Sequence, residues 1–244
     1  MQLNCDLGES FGQWQLSDEA QVMPYIDMAN VACGFHAGDP ITISKTLNLA
    51  KQHDVCVGAH PAYPDLAGFG RRSMAIALPD VAPLLHYQIA ALEGMAKCQG
   101  LTLRFVKPHG ALYNDMMANP ELLTAIMQAV ADYPSDLQLM IMSTTNHAEH
   151  SKQALYIGVP LLFEVFADRA YTDNGLLMPR TQEGALLSED EMLDQVTNMI
   201  HKKTITTHGG QTLSLPMDSL CVHGDNPTAI KQIQKIRALV NDET

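Results

Sequence analysis

An alternation narrows the folds open to this chain more than any single motif does. Short β-like runs, "QLNCD", "DMANVACG", "VCVGAH", "LRFVKPH", "QLMIM", "LLFEVFAD" and "SLCVHG", recur from one end to the other, separated by segments with helical apolar spacing. Repeated βα units of this kind build a parallel sheet. The intervening helices show as Leu122, Leu123, Ile126, Met127 and Val130, and again as Ile230, Ile233, Ile236 and Val240, all near the 3.6-residue period. Asp39-Pro40 and Asn226-Pro227 each offer a cap followed by proline at the first helical position, and Ser188 with Glu191 forms a capping-box pattern. The segment "KTITTHGGQTLSLPMDSL" departs from the alternation and predicts a β-hairpin around His208-Gly209-Gly210.

An open doubly wound sheet and a closed barrel both satisfy the alternation, and polarity separates them. In an open sheet the ligand crevice forms where strand order reverses, so only some strand ends need polar residues. Here nearly every strand end carries them. Strand side chains alternate between faces, which puts Asn4 with Asp6, Lys107 with His109, Glu164 with Asp168, and His223 with Asp225. Asn30 falls in even register with His36, and His60 is held extended by Pro61. Buried alone, such groups would each cost several kcal/mol. A ring of them at one mouth is where barrel active sites lie. The expected fold is α/β, a single-domain sevenfold β/α barrel of TIM-like type spanning residues 1–244.

Composition agrees. No Ser/Gly-rich or charge-run linker divides the chain, and 46% apolar against 17% charged residues supports a large core. A net charge of -12 excludes a phosphate-binding nucleic-acid surface. The N-terminus lacks a basic segment followed by an apolar run, and no stretch approaches the roughly 18 apolar residues of a membrane helix. A cytoplasmic location without membrane contact is expected. Cys5, Cys33, Cys56 and Cys221 sit in apolar strand-like runs without close C-x-x-C pairing, and read as reduced core residues.

The ring suggests several chemistries. Asp6 or Asp225 can act as general base, a histidine can protonate a leaving nitrogen, and Lys107 can stabilise an oxyanion or phosphoryl group. A water-activating divalent metal is open, with Asp6, His36, His60 and His109 available as ligands, although no local H-x-x-x-H or H-E-x-x-H signature occurs. No Ser lies in G-x-S-x-G, and no G-x-x-x-x-G-K-[ST] loop is present. The loop "DLAGFGRRS" offers Arg71 and Arg72 as a clamp for a carboxylate or phosphate on a closing lid. Asp168, Arg169, Tyr171 and Arg180 cluster in "EVFADRAYTDNGLLMPR".

Taken together, "LNCDLGESFG", "ANVACGFHAGDP", "GAHPAYPDLAGFGRR", "VKPHGALYN", "EVFADRAYTDNGLLMPR" and "CVHGDNPTA" resemble the LamB/YcsF family over nearly the whole chain. The resemblance implies a sevenfold barrel of the glycoside hydrolase/deacetylase superfamily. It implies the role of the A subunit in an ATP-dependent 5-oxoprolinase, opening 5-oxo-L-proline to L-glutamate alongside subunits B and C. The polar ring makes Asp6, His36, His60, Lys107, His109, Asp168, His223 and Asp225 the expected catalytic set. Asn4, Asn30, Arg71, Arg72, Glu164 and Arg169 are the expected substrate contacts, with ATP and Mg²⁺ at a site that the partners can share. The competing readings are a stand-alone metal-dependent amidohydrolase or deacetylase and a noncatalytic lactam-binding subunit.

Overall fold

All seven expected strands form and close on themselves. The computed structural model describes residues 1–16, 18–223 and 227–242, with backbone alone at 227–229. In chain order the elements are β1 (Gln2–Leu7), α1 (Glu19–Val22), β2 (Met28–Ala32), α2 (Pro40–Gln52), β3 (Cys56–His60), α3 (Leu78–Cys98), β4 (Leu103–Val106), α4 (Gly110–Ala118), α5 (Pro120–Ala131), β5 (Gln138–Met142), α6 (His147–Ile157), β6 (Leu161–Phe166), α7 (Glu189–Lys202), β7 (Thr204–Thr206), β8 (Thr212–Ser214), β9 (Ser219–Val222) and α8 (Pro227–Asn241). The barrel runs β1-β2-β3-β4-β5-β6-β9, parallel throughout, with β9 beside β1. The antiparallel pair β7-β8 is the hairpin expected around His208-Gly209-Gly210.

Helix starts follow the local chemistry. The Asp39 carboxylate accepts from the backbone N–H groups of Ile41 and Thr42, Asn119 caps α5 in the same way, and the Ser188/Glu191 capping box closes at α7. The expected cap Asn226 lies outside the described residues. No described helix is long and apolar enough to cross a membrane.

Period 2 sorts the strands into two faces. Leu3, Cys5 and Leu7, Ala29 and Val31, Val57 and Ala59, Leu139 and Ile141, and Leu220 and Val222 point outward into one core with the helices. Inside the barrel, Met28, Phe105 and Met140, with Cys56 and Leu162 against them, form an apolar plug toward the strand N-termini. Gly58 makes room for it, because a Cβ there would stand 2.2 Å from the Phe105 ring. Above the plug the interior turns polar, with Asn4, Asp6, Asn30, His60, Lys107 and Glu164 all buried. The apolar layer shuts one end, so the polar layer opens only at the C-terminal mouth.

Candidate active site at the barrel mouth

The centre of the mouth is Lys107, which is 3% exposed. It follows the last residue of β4, yet its N–H still donates to the Ala59 carbonyl at 2.9 Å, and that of His109 to Pro61 at 2.8 Å. Strand pairing therefore continues past Val106 and keeps both side chains facing inward. The Lys107 ammonium lies 2.9 Å from Asp6 Oδ1 and 2.7 Å from Glu164 Oε1, and donates to Asn4 Oδ1 at 3.3 Å and Cys221 Sγ at 3.2 Å. Asn30 Nδ2 donates to Asn4 Oδ1 and Asp6 Oδ1, both at 2.7 Å, and Asn4 Nδ2 to Ser219 Oγ at 2.7 Å. Tyr113 donates to Glu164 Oε2 at 2.8 Å. Burial works against the charges, but Lys107 with His60 holds the Asp6 pKa well below its ordinary value, and Asp6 and Glu164 hold Lys107 well above its own.

Beside this network three imidazoles gather on Glu9. His36 Nε2 is 3.1 Å from Glu9 Oε1, and His109 Nδ1 is 3.4 Å from it. His60 Nε2 stands 3.0 Å from His109 Nδ1 and 3.5 Å from Asp6 Oδ2. The His36 and His109 rings stack at 3.7 Å with a 7° interplanar angle. His60 Nδ1 donates to the Lys107 carbonyl at 2.6 Å and His109 Nε2 to the Phe69 carbonyl at 2.9 Å. Burial pushes the His36 and His109 pKa values well below that of an ordinary imidazole, so both are neutral.

Across the mouth, His223 Nδ1 lies 2.9 Å from Asp168 Oδ1, and its ring stacks on Phe166 with centroids 5.4 Å apart. Arg169 lines the mouth but is tied to the carbonyls of Met178 and Ala185. Burial and then Arg180 bring its pKa down to about 10, which leaves it charged at neutral pH.

These groups surround a cavity of about 520 Å³. Asp6, Glu9, His60, Lys107, His109 and His223 line it from the strand ends; Arg71, Arg169 and Arg180 line it from the loops. Asn4, Asn30, His36, Glu164 and Asp168 stand one contact behind this surface and hold the lining residues in place. His36 arrives on the loop between Gly34 and Gly38, after β2 has ended, rather than by strand parity with Asn30.

The clamp expected of Arg71 and Arg72 does not form. Arg72 turns to the buried carboxylate of Asp65 with its side chain 66% exposed, whereas Arg71 faces the cavity with its guanidinium 4.9 Å above the Phe69 ring. Nor does their loop stand open as a lid. Its Phe69 carbonyl takes the His109 N–H and its Gly70 carbonyl takes Ala111 N–H at 2.8 Å, which seats the loop on the histidines. Only glycine serves at Gly110, where φ is +55° and a Cβ would meet the Gly70 carbonyl oxygen at 2.6 Å. Asp225 lies outside the described residues.

Sequence reasoning missed Glu9 and Tyr113. Glu9 follows Gly8, whose φ of +72° ends the strand alternation. Tyr113 sits one helical turn beyond His109, a spacing that could have placed it over the mouth.

The LamB/YcsF family model matches residues 1–244. The chain is 50% identical over 236 residues to the 5-oxoprolinase A subunit numbered 2 of Pseudomonas putida, covering 96% of this chain and 92% of the relative. It is 47% identical over 243 residues to the 5-oxoprolinase A subunit of Vibrio cholerae, covering 99% and 98%. The crystal structure of the lactam utilization protein from Thermus thermophilus superposes with a TM-score of 0.90 at 35% identity, over 99% of this chain and 96% of that one. A barrel shared along its whole length, with sequence identity of this order to several relatives, leads to one conclusion: the chain belongs to the LamB/YcsF family.

Proposed function

We propose that this chain is the A subunit of a cytoplasmic 5-oxoprolinase, opening 5-oxo-L-proline to L-glutamate with hydrolysis of ATP to ADP and phosphate. The observation that carries the reading is one cavity with cationic loops above and a buried acid, base and ammonium set below. Its volume falls in the roughly 300–1,000 Å³ range of small-molecule pockets. The substrate carboxylate pairs with Arg71, which lines the cavity beside Phe69. Lys107 faces the developing charge on the lactam oxygen. Asp6, held ionised by Lys107, is a poor proton acceptor and orients the ammonium instead. The attacking water is held and deprotonated at Glu9, His60 and His109. Water adds to the ring carbon, the C–N bond breaks, and His223, oriented by Asp168, delivers the proton to the leaving nitrogen.

An unstrained amide is a poor electrophile; transfer of the ATP γ-phosphoryl group to its carbonyl oxygen would release ADP and activate the ring carbon. Water addition and C–N cleavage would then leave an acyl phosphate, which a second water would hydrolyse to the carboxylate and phosphate. The sequence has no P-loop. We therefore place Mg²⁺-ATP at a site shared with the partner subunits B and C, with Arg180 as this chain's phosphate-directed donor. The test is ATP-dependent glutamate formation from 5-oxo-L-proline by purified chain with and without the two partners. Formation only in the complete mixture is expected; formation by the partners alone would remove this chain from the chemistry.

A further inference from the structure

The hydrogen-bond partners of two histidines fix where their lone pairs point. Backbone carbonyls only accept, so His60 must carry its proton on Nδ1 for Lys107, and His109 must carry its proton on Nε2 for Phe69. With one proton on each ring, placed by those bonds, the remaining nitrogens, His60 Nε2 and His109 Nδ1, present lone pairs, and they face one another at 3.0 Å. Glu9 Oε1 joins them at 3.4 and 4.0 Å. The nearby ammonium of Lys107 is engaged with Asp6 Oδ1 and Glu164. Three electron pairs thus converge on one buried point, and a cation there would turn their repulsion into coordination.

We propose that Glu9, His60 and His109 form a binding site for one divalent transition-metal ion of the Zn²⁺ type. The three separations bracket the edge of about 3.3 Å that a tetrahedral site with metal–ligand bonds near 2.0–2.1 Å has. Two imidazoles and one carboxylate leave a fourth position open, and all three ligands line the cavity, so that position faces the substrate. Each ligand already has an outer partner: the Lys107 carbonyl behind His60, the Phe69 carbonyl behind His109, and His36 Nε2 against the Glu9 carboxylate. His36 is therefore a positioning residue, stacked on His109 and bonded to Glu9. Asp6 is left out of the set: its Oδ1 is held by Lys107 and Asn30, and although its Oδ2 lies 3.5 Å from His60 Nε2, Asp6 groups with Cys221 and His223 rather than with Glu9 and the three histidines. A metal at this point lowers the pKa of its bound water, which deepens the water-activating role assigned to the same three residues. The coordination itself rests on the histidine tautomers and not on the identity of the lactam.

The test uses untagged full-length protein stripped with EDTA and titrated calorimetrically with Zn²⁺ in the absence of lactam, beside Co²⁺ loading followed by visible spectroscopy. One equivalent of tightly bound Zn²⁺, a visible Co²⁺ band typical of four-coordination and a metal-dependent rise in thermal midpoint are expected. Glu9→Gln, which preserves size and an acceptor for His36, should weaken affinity at least tenfold. His36→Gln should weaken it about 10- to 100-fold, as loss of an outer partner does. His208→Gln on the β7-β8 hairpin should change nothing. No stoichiometric Zn²⁺ binding by folded wild-type protein, or binding unaltered by Glu9→Gln, overturns the site and leaves a shared imidazolium proton as the content of the cluster. Stoichiometric binding by a chain that opens no lactam with its partners would leave the metal site standing and sink the 5-oxoprolinase reading; the reverse outcome would do the opposite.

Discussion

On the β6-to-β9 side of the mouth, acids meet donors. Glu164 takes the Lys107 ammonium and the Tyr113 hydroxyl, and Asp168 takes His223. On the β1-to-β4 side, Glu9, His60 and His109 turn acceptors toward one another. Both sides are buried and built from the same residue types. Burial makes like polar atoms costly to face together; the first side pairs acids with donors, whereas on the second His60 Nε2 and His109 Nδ1 face each other at 3.0 Å, as ligands of a shared cation do. Substitutions should accordingly cost stability on the first side and ligand affinity or chemistry on the second.

The largest effect is expected at the hinge between the two. Lys107→Met leaves Asp6 and Glu164 buried without their shared cation, and should lower unfolding stability by about 3–5 kcal/mol, read from the urea midpoint. Adding Glu164→Gln should recover part of that loss; no recovery would mean that the ammonium is not the balancing charge. Next comes His223→Gln, which removes the proton donor without emptying the core. It should lower kcat for lactam opening by about 10²–10⁴-fold while the urea midpoint stays near wild type. Equal losses of stability and rate would make the Asp168–His223 pair structural.

Arg71→Ala should cost about 1.5–3 kcal/mol in kcat/KM, expressed mainly in KM because the contact serves the substrate and the transition state alike. Arg71→Lys should rescue only partly, since it loses the planar fork. Arg72→Ala should leave kcat/KM unchanged and lower only the thermal midpoint, because Arg72 serves Asp65 and not the cavity. A KM effect at Arg72 equal to that at Arg71 would restore the two-arginine clamp.

A last effect is on pH dependence. His36 and His109 bind protons more weakly folded than unfolded. The unfolded chain therefore takes up protons first as pH falls below about 6.5, and stability present above that pH is lost below it, by up to about 1.4 kcal/mol per pH unit per histidine. Urea midpoints of metal-free protein at pH 8 and pH 5.5 read this slope. In His36→Asn the slope should flatten, and an unchanged slope would mean that this imidazole titrates normally.

Much of the fold was legible because its signals are local. Strand alternation, the Asp39 cap, the Ser188 capping box and the glycine pair of the hairpin each act within a few residues. Inward parity was legible too at Asn4, Asp6, Asn30, Lys107 and Glu164, since period 2 holds wherever strand pairing continues. It fails where the chain leaves the strand. Beyond Gly8 the left-handed turn redirects Glu9, so numbering no longer tells direction. Adjacent Arg71 and Arg72 looked like one device, but on a tight loop neighbouring side chains diverge, and Asp65, seven residues earlier, captures the second. The lone-pair cluster depends on contacts across 49 to 100 positions of sequence, which no local pattern encodes.

Whether the lactam is opened at this mouth is read without intermediaries from the structure of the complete complex, or of this chain, crystallised with 5-oxo-L-proline. The lactam should sit in the cavity, its carboxylate against Arg71, its ring oxygen toward Lys107 and its ring nitrogen within reach of His223. A lactam seated on a partner subunit, with the mouth of this barrel holding only water, would contradict that placement and the chemistry built on it.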